Sequence, residues 1–156
     1  TSKAGKGTSF KIILPVSKGK LERIQEIKEK PVRGSGQKIL IVDDEESVLD
    51  SMSNLVKQLG YQAKAISRST EAISAYKEWA PDLVLIDRNM PEMDGAHCIA
   101  NLLKIDPSAK IIIISGYESE GPNGIDDEVR QAIKGYLIKP CGATALSSMV
   151  FQALAN

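Results

Sequence analysis

The chain has 156 residues, 42% hydrophobic and 26% charged, which suits one soluble domain with some extra length. Twenty Lys plus Arg balance twenty Asp plus Glu. That balance argues against nucleic acid as a partner, because counterion-driven binding needs a basic face. No apolar run approaches the ~18 residues of a membrane span and no secretory leader is legible, so a soluble, cytoplasmic fragment without membrane contact is expected. Cys98 and Cys141 have no metal-ligand spacing and are expected to be reduced thiols.

In chain order, Thr1 to Phe10 is small, basic and glycine-rich, and Lys11-Ile-Ile-Leu-Pro15 reads as one short strand. Leu21, Ile24 and Ile27 give a weak one-sided helical pattern among many charges. Pro31 and Gly34-Ser-Gly36 break any helix and predict a flexible joint. The expected divisions are residues 1–16, a linker over 17–36 and a main domain over 37–156.

Beyond the joint, strands are predicted near 38–42, 62–66, 82–86, 110–114 and 135–138. Helices are predicted near 46–59, 70–79, 95–105, 126–133 and 143–154. Gly60 is the expected C-cap of the first helix, and Ser69 or Thr70 the expected N-cap of the second. Runs such as Ile111-Ile-Ile-Ile114 are apolar without alternation, as strands covered on both faces require. The alternation of strands and helices implies right-handed βαβ units, hence a doubly wound parallel α/β sheet.

Three short apolar runs end in charge: Lys38-Ile-Leu-Ile-Val42 before Asp43-Asp44, Leu83-Val-Leu-Ile86 before Asp87, and Gly135-Tyr-Leu-Ile138 before Lys139-Pro140. A parallel sheet gathers the carboxyl ends of its strands along one edge, where ligands bind. Three carboxylates and one ammonium would meet there. Crowded carboxylates repel unless a hard cation sits between them. The pattern points to a site for divalent metal and phosphate.

Asp43-Asp44 after the first strand, Asp87-Arg-Asn-Met-Pro-Glu-Met-Asp-Gly95, Ser115-Gly116 and Lys139-Pro140 together resemble the receiver (response-regulator) domain of two-component signalling. The resemblance covers roughly residues 37 to 156. It implies a flavodoxin-like fold with five parallel strands in the order 2-1-3-4-5. It also implies that Asp87 is the phosphorylated nucleophile, since an acyl phosphate stays reactive enough to be passed on or hydrolysed. Asp43, Asp44, Asp87 and the main-chain carbonyl of Asn89 would hold Mg²⁺, and Lys139 would pair with a phosphoryl oxygen. Ser115 would donate its hydroxyl to the phosphoryl group, and the rotamer of Tyr136 would accompany that switch. The peptide before Pro140 is commonly cis in the family.

Taken singly, these residues have blander readings. Asp87 would be a solvated acid, Asp43 or Asp44 a helix N-cap, Lys139 a surface ion-pair partner and Tyr136 plain packing. His97, the single histidine, is expected at the surface without a role. The segment 116–134 departs from the family pattern, with an acidic loop, a fourth helix of about two turns and few apolar anchors. It is expected to be the mobile part.

Gly5-Lys-Gly-Thr-Ser-Phe-Lys-Ile-Ile-Leu-Pro15 resembles the closing segment of a histidine-kinase ATPase domain. That resemblance makes residues 1–16 a kinase stub and 37–156 the C-terminal receiver of a hybrid sensor histidine kinase. The partner implied is a histidine-kinase or histidine-phosphotransfer domain, in cis or in trans, with the fragment a monomer or weak dimer. This fragment has no kinase core and would catalyse only its own phosphorylation and dephosphorylation. An alternative function is a regulatory interaction module that gates the adjacent kinase core with little onward transfer.

Overall fold

A computed structural model of the chain describes residues 2–3, 5, 7–13, 31–90, 95–116, 130 and 132–155. The expected helix around Leu21 to Ile27 and most of the expected 126–133 helix lie outside these residues. Five strands carry the main domain: β1 (Lys38–Val42), β2 (Gln62–Ile66), β3 (Leu83–Asp87), β4 (Ile111–Ser115) and β5 (Ile133–Ile138). All are parallel, in the order β2-β1-β3-β4-β5. This is the predicted 2-1-3-4-5 sheet.

The unalternating apolar runs are explained by cover on both faces. Leu40, Val42, Val84, Ile86, Ile111 and Ile113 pack on one side, with Ala72, Ala75, Tyr76, Cys98, Ile99 and Leu102. The last six come from helices α2 (Ser69–Trp79) and α3 (Gly95–Ile105). The intervening Ile39, Ile41, Leu83, Leu85, Ile112 and Ile114 face α1 (Glu46–Gln58) and α4 (Ala143–Ala155). Along α1 the buried Leu49, Met52 and Val56 recur at spacings of three and four, the stripe an amphipathic helix presents to a sheet.

Element ends show where local signals succeed and fail. Gly60 takes φ +90° just past α1, as expected of a helix-ending glycine. Neither Ser69 nor Thr70 caps α2. The N-cap is the extended Arg68, which makes no side-chain capping bond. Ser69 is instead the first helical residue, and its hydroxyl is turned into the interior, where it has no hydrogen-bond partner among the described residues. β5 starts at Ile133, inside the predicted helix. Ile133 pairs with Ile111 and Gly135 with Ile112, so Lys134 is an extra residue that makes a bulge. Packing of Ile133 against the α2–α3 side of the core draws it into the sheet. Gly135 then lets α4 approach, since a Cβ there would lie 2.1 Å from Met149 Sδ.

At the N-terminus, Ser2–Lys3 pairs antiparallel with Gly7–Thr8. Lys11 to Ile13 form no strand, contrary to expectation, and no described segment offers them a partner. Phe10, Ile12 and Ile13 are exposed. Gly34 and Gly36, expected as a flexible joint, are hydrogen-bonded to the end of α1 instead: the Gly34 N–H donates to the Leu59 carbonyl (2.8 Å) and the Gly36 N–H to that of Gly60 (2.9 Å). No helix among the described residues is long and apolar enough to cross a membrane.

The two thiols differ in access. Cys98 on α3 is fully buried, and burial pushes its pKa up to about 11, whereas Cys141 is half-buried. In the native protein at mild alkaline pH, a disulfide reagent such as Ellman's is expected to titrate Cys141 and spare Cys98 until denaturant is added. Mass mapping of the modified thiol checks this, and rapid native labelling of Cys98 would show that the α2–α3 face opens.

Candidate functional site

The strand order reverses between β1 and β3, and the crevice outside a parallel sheet at such a point is where ligands bind. Asp43 and Asp44 leave β1 at this crevice, and Asp87 is the last residue of β3. Asp43 and Asp87 are buried while Asp44 is exposed, and one carboxylate oxygen from each lies within 4.8 Å of the others. The local backbone fixes both buried groups. The Glu45 N–H donates to Asp43 Oδ1 (3.0 Å), and the Asn89 N–H donates to Asp87 Oδ2 (3.1 Å). Each is an aspartate bonded to the amide two residues on, a common local turn. Neither Asp43 nor Asp44 is the N-cap of α1, which is Glu45.

Lys139 enters from the far end of the sheet. Its Nζ lies 2.6 Å from Asp43 Oδ2 and 3.0 Å from Asp87 Oδ1, so one ammonium bridges the two buried carboxylates. Its own N–H donates to the Ser115 carbonyl (2.8 Å), which ties the exit of β5 to the last residue of β4. The Lys139–Pro140 peptide is cis.

Burial raises the pKa of Asp87 above the ordinary carboxylate range, and the hydrogen bond and charge of Lys139 oppose that rise without cancelling it. For Lys139, burial works against the charged form. Its bonds to Asp43 and Asp87, and their charges, outweigh burial and hold the ammonium above its usual range. Lys139 is therefore cationic at neutral pH. One ammonium facing three carboxylates leaves the crevice with surplus negative charge. Three hard oxygen donors, two held rigidly and one open to solvent, fit a small divalent cation that keeps several waters.

Ser115 is buried at the end of β4, one residue beyond the Ile114 that pairs with Asp87. Tyr136 on β5 is half-buried and packs on the α2–α3 side of the core. Its hydroxyl is buried without a hydrogen-bond partner among the described residues. Burial raises its pKa, with the charges of Arg130 and Arg88 opposing. His97 is exposed on α3 and takes no part in the cluster.

One contributor was not singled out from the sequence. Gly95 opens α3, and its N–H donates to the Arg88 carbonyl (3.0 Å). A Cβ on it would lie 2.4 Å from the Asp87 carbonyl oxygen and 2.9 Å from Arg88 Cα. Only glycine lets the helix start directly against the backbone of Asp87. The signal was present, as a glycine at a helix start, where it is a poor helix former. A cleft of about 520 Å³ also runs between α1 and the turn after β5, lined by Val48, Met52, Leu55, Lys139, Pro140 and Cys141. It gives Lys139 a route to solvent.

Fold and site together define a receiver of the two-component type, in which a carboxylate at the sheet edge accepts a phosphoryl group. The response regulator receiver domain matches residues 39–151, and the chain belongs to that family. The chemotaxis protein CheY of Thermotoga maritima is 34% identical over 106 residues, 67% of this chain and 87% of the relative. The sensor kinase CckA of Brucella abortus is 29% identical over an alignment of 167 positions that covers 98% of this chain but only 17% of that protein. Among solved structures, a receiver domain from Clostridium thermocellum superposes with TM-score 0.69 at 28% identity, over 76% of this chain and 94% of the other. The response regulator TrrA of Thermotoga maritima, determined in complex with Mg²⁺ and BeF, gives TM-score 0.67 at 25% identity over 75% and 98%.

Proposed function

We propose that Asp87 accepts the phosphoryl group of a phosphohistidine, on a histidine-kinase or histidine-phosphotransfer domain. The observation that carries this is the single ammonium of Lys139 held between Asp43 Oδ2 and Asp87 Oδ1. A carboxylate oxygen of Asp87 attacks phosphorus, the P–N bond breaks, and the imidazole leaves with the bonding pair. Phosphoryl transfer asks the protein mainly for position and charge neutralisation, and Lys139 supplies both by exchanging a carboxylate oxygen for a phosphoryl oxygen. The N–H of Asn89 orients the nucleophile, and Ser115 at the end of β4 donates to the product. The cleft beside Pro140 and Cys141 is the approach path for the donor.

Asp43, Asp44, Asp87 and the Asn89 carbonyl would hold Mg²⁺, which when bound neutralises charge on the phosphoryl oxygens. Mg²⁺ alone is expected to shift amide resonances at residues 43–45 and 87–90. Shifts confined to other acidic stretches would move the metal elsewhere.

We further propose that the parent protein is a cytoplasmic or membrane-anchored hybrid sensor histidine kinase, with residues 1–16 the end of its ATPase domain. The alignment with the Brucella sensor kinase supports this, because it spans 98% of the chain and therefore reaches beyond the receiver. Gating of the adjacent kinase is the second reading, favoured by the attachment of Gly34 and Gly36 to α1. Deleting residues 37–156 from the full-length protein separates the two. Released kinase activity supports gating, and loss of onward transfer with unchanged kinase activity supports the acceptor role.

A further inference from the structure

The segment just before β1 is built into the domain. A helix leaves its last carbonyls without intrahelical donors. At the end of α1 the carbonyls of Leu55, Val56 and Lys57 take the N–H groups of Leu59, Tyr61 and Gly60, and the next two carbonyls, those of the cap Leu59 and of Gly60, take theirs from residues 34 and 36: the Gly34 N–H bonds the Leu59 carbonyl and the Gly36 N–H bonds that of Gly60. Gln62 Nε2 donates back to the Gly36 carbonyl (3.0 Å). Both glycines at this contact are there for close approach. A Cβ on Gly34 would lie 2.2 Å from Cε1 of the buried Tyr61 ring, and one on Gly60 would lie 2.9 Å from the Gly34 carbonyl oxygen. The next anchor is on α4. Ser147, fully buried, accepts the Val32 N–H at its Oγ (3.2 Å) and donates the same hydroxyl to the Thr144 carbonyl (3.0 Å).

We infer that residues 32–36 are a strap that belongs to the receiver and links the preceding chain to the state of the Asp43–Asp87–Lys139 site. The link is short. Lys139 is held by the two carboxylates, α4 begins at Ala143, the Leu146 N–H bonds the Gly142 carbonyl, and Ser147 carries Val32. A displacement of Lys139 is passed along eight residues of chain to the first turns of a rigid helix. The other anchor, at the end of α1, does not pass through Lys139. The Val32 contact therefore responds to the site, while those of Gly34 and Gly36 hold the strap in place. This gives the receiver a mechanical connection to whatever precedes it, which a free glycine-serine joint would lack.

Amide hydrogen exchange of the full 156-residue chain tests it, with and without Mg²⁺ and beryllofluoride. Gly34 and Gly36 should exchange at least roughly tenfold slower than in free chain. Free-chain rates there would remove the strap. Adding Mg²⁺ and beryllofluoride should change the exchange of Val32 by about threefold or more, an effect that Ser147→Ala removes while Gly34 and Gly36 stay protected. The ligand measurement rests on the phosphoacceptor reading, and the further shift of the 43–45 and 87–90 amides when beryllofluoride is added to the Mg²⁺-loaded chain reports on that reading separately. If those amides shift and Val32 does not, the coupling is wrong. If they do not shift, the acceptor reading fails, and Lys139→Ala without ligand decides the strap. Faster Val32 exchange in that variant supports the link, and an unchanged rate overturns it.

Discussion

Replacing Asp87 by Asn is expected to abolish beryllofluoride binding and labelling by a small phosphodonor, while the fold stays intact. The exchange is nearly isosteric, so the core around Ile86 and Met90 is undisturbed. In the proposed transfer, what is lost is the anionic oxygen that forms the bond to phosphorus, and an amide is no substitute nucleophile. The ground state gains from the change. Asp87 is buried beside Asp43, and its charged form is disfavoured by that burial. Lys139 keeps its shorter bond, the one to Asp43 at 2.6 Å. In Mg²⁺-free buffer the melting temperature of Asp87→Asn should therefore equal or exceed that of the parent. Such a sign is the signature of a site kept for chemistry at the expense of stability. Labelling retained in the variant would take the nucleophile's role away from Asp87, and a large drop in melting temperature would show that the carboxylate serves structure instead.

How much of this was legible in the chain depends on the range of the forces involved. β1 to β4 and all four described helices were readable because unalternating apolar runs and three-four spacings are local consequences of burial. The meeting of Asp43, Asp44, Asp87 and Lys139 was also readable, since a parallel sheet places the ends of its strands on one edge whatever the loops do. Of what escaped, three cases share a cause. The start of β5 was misplaced because Ile133 joins the sheet through a bulge, and bulges follow from packing across strands rather than from propensity. Ser69 looks like a cap in one dimension, but the backbone turns its hydroxyl inward. Gly34 and Gly36 carry the composition of a flexible linker, and nothing local tells that the ring of Tyr61 leaves no room for a Cβ at 34 or that the chain takes φ +89° at 36. In each case the deciding partner is distant in sequence or set by chain direction. Such partners leave no periodic trace.

Lys139→Ala should have the largest effect on stability and on switching, well beyond that of Ser115→Ala. In the resting protein the ammonium bridges Asp43 and Asp87, both nearly inaccessible to solvent. Removing one partner of a buried pair costs about 3–5 kcal/mol, because the remaining charge is left uncompensated. Unfolding in Mg²⁺-free buffer should show a loss of about that size, and added Mg²⁺ should restore part of it if the cation replaces the missing charge. The proposed switch rests on the same contact. Moving a two-state segment from mostly off to mostly on requires about 5.5 kcal/mol of differential binding. One neutral hydroxyl bond from Ser115 contributes about 0.5–1.5 kcal/mol, and bonds made by a charged group about 1.5–3 kcal/mol. Ser115→Ala is thus expected to weaken the beryllofluoride-dependent amide shifts at Gly116 and 132–142 without removing them. Lys139→Ala should remove them while some acceptance of phosphoryl groups persists through Asp87. The second effect follows from the backbone as well, since the N–H of Lys139 holds the Ser115 carbonyl and any shift of the side chain is felt at the end of β4. Amide spectra of the three proteins with and without Mg²⁺ and beryllofluoride decide the matter. An undiminished response at 132–142 in Lys139→Ala would assign the coupling to another residue, with Ser115 first in line.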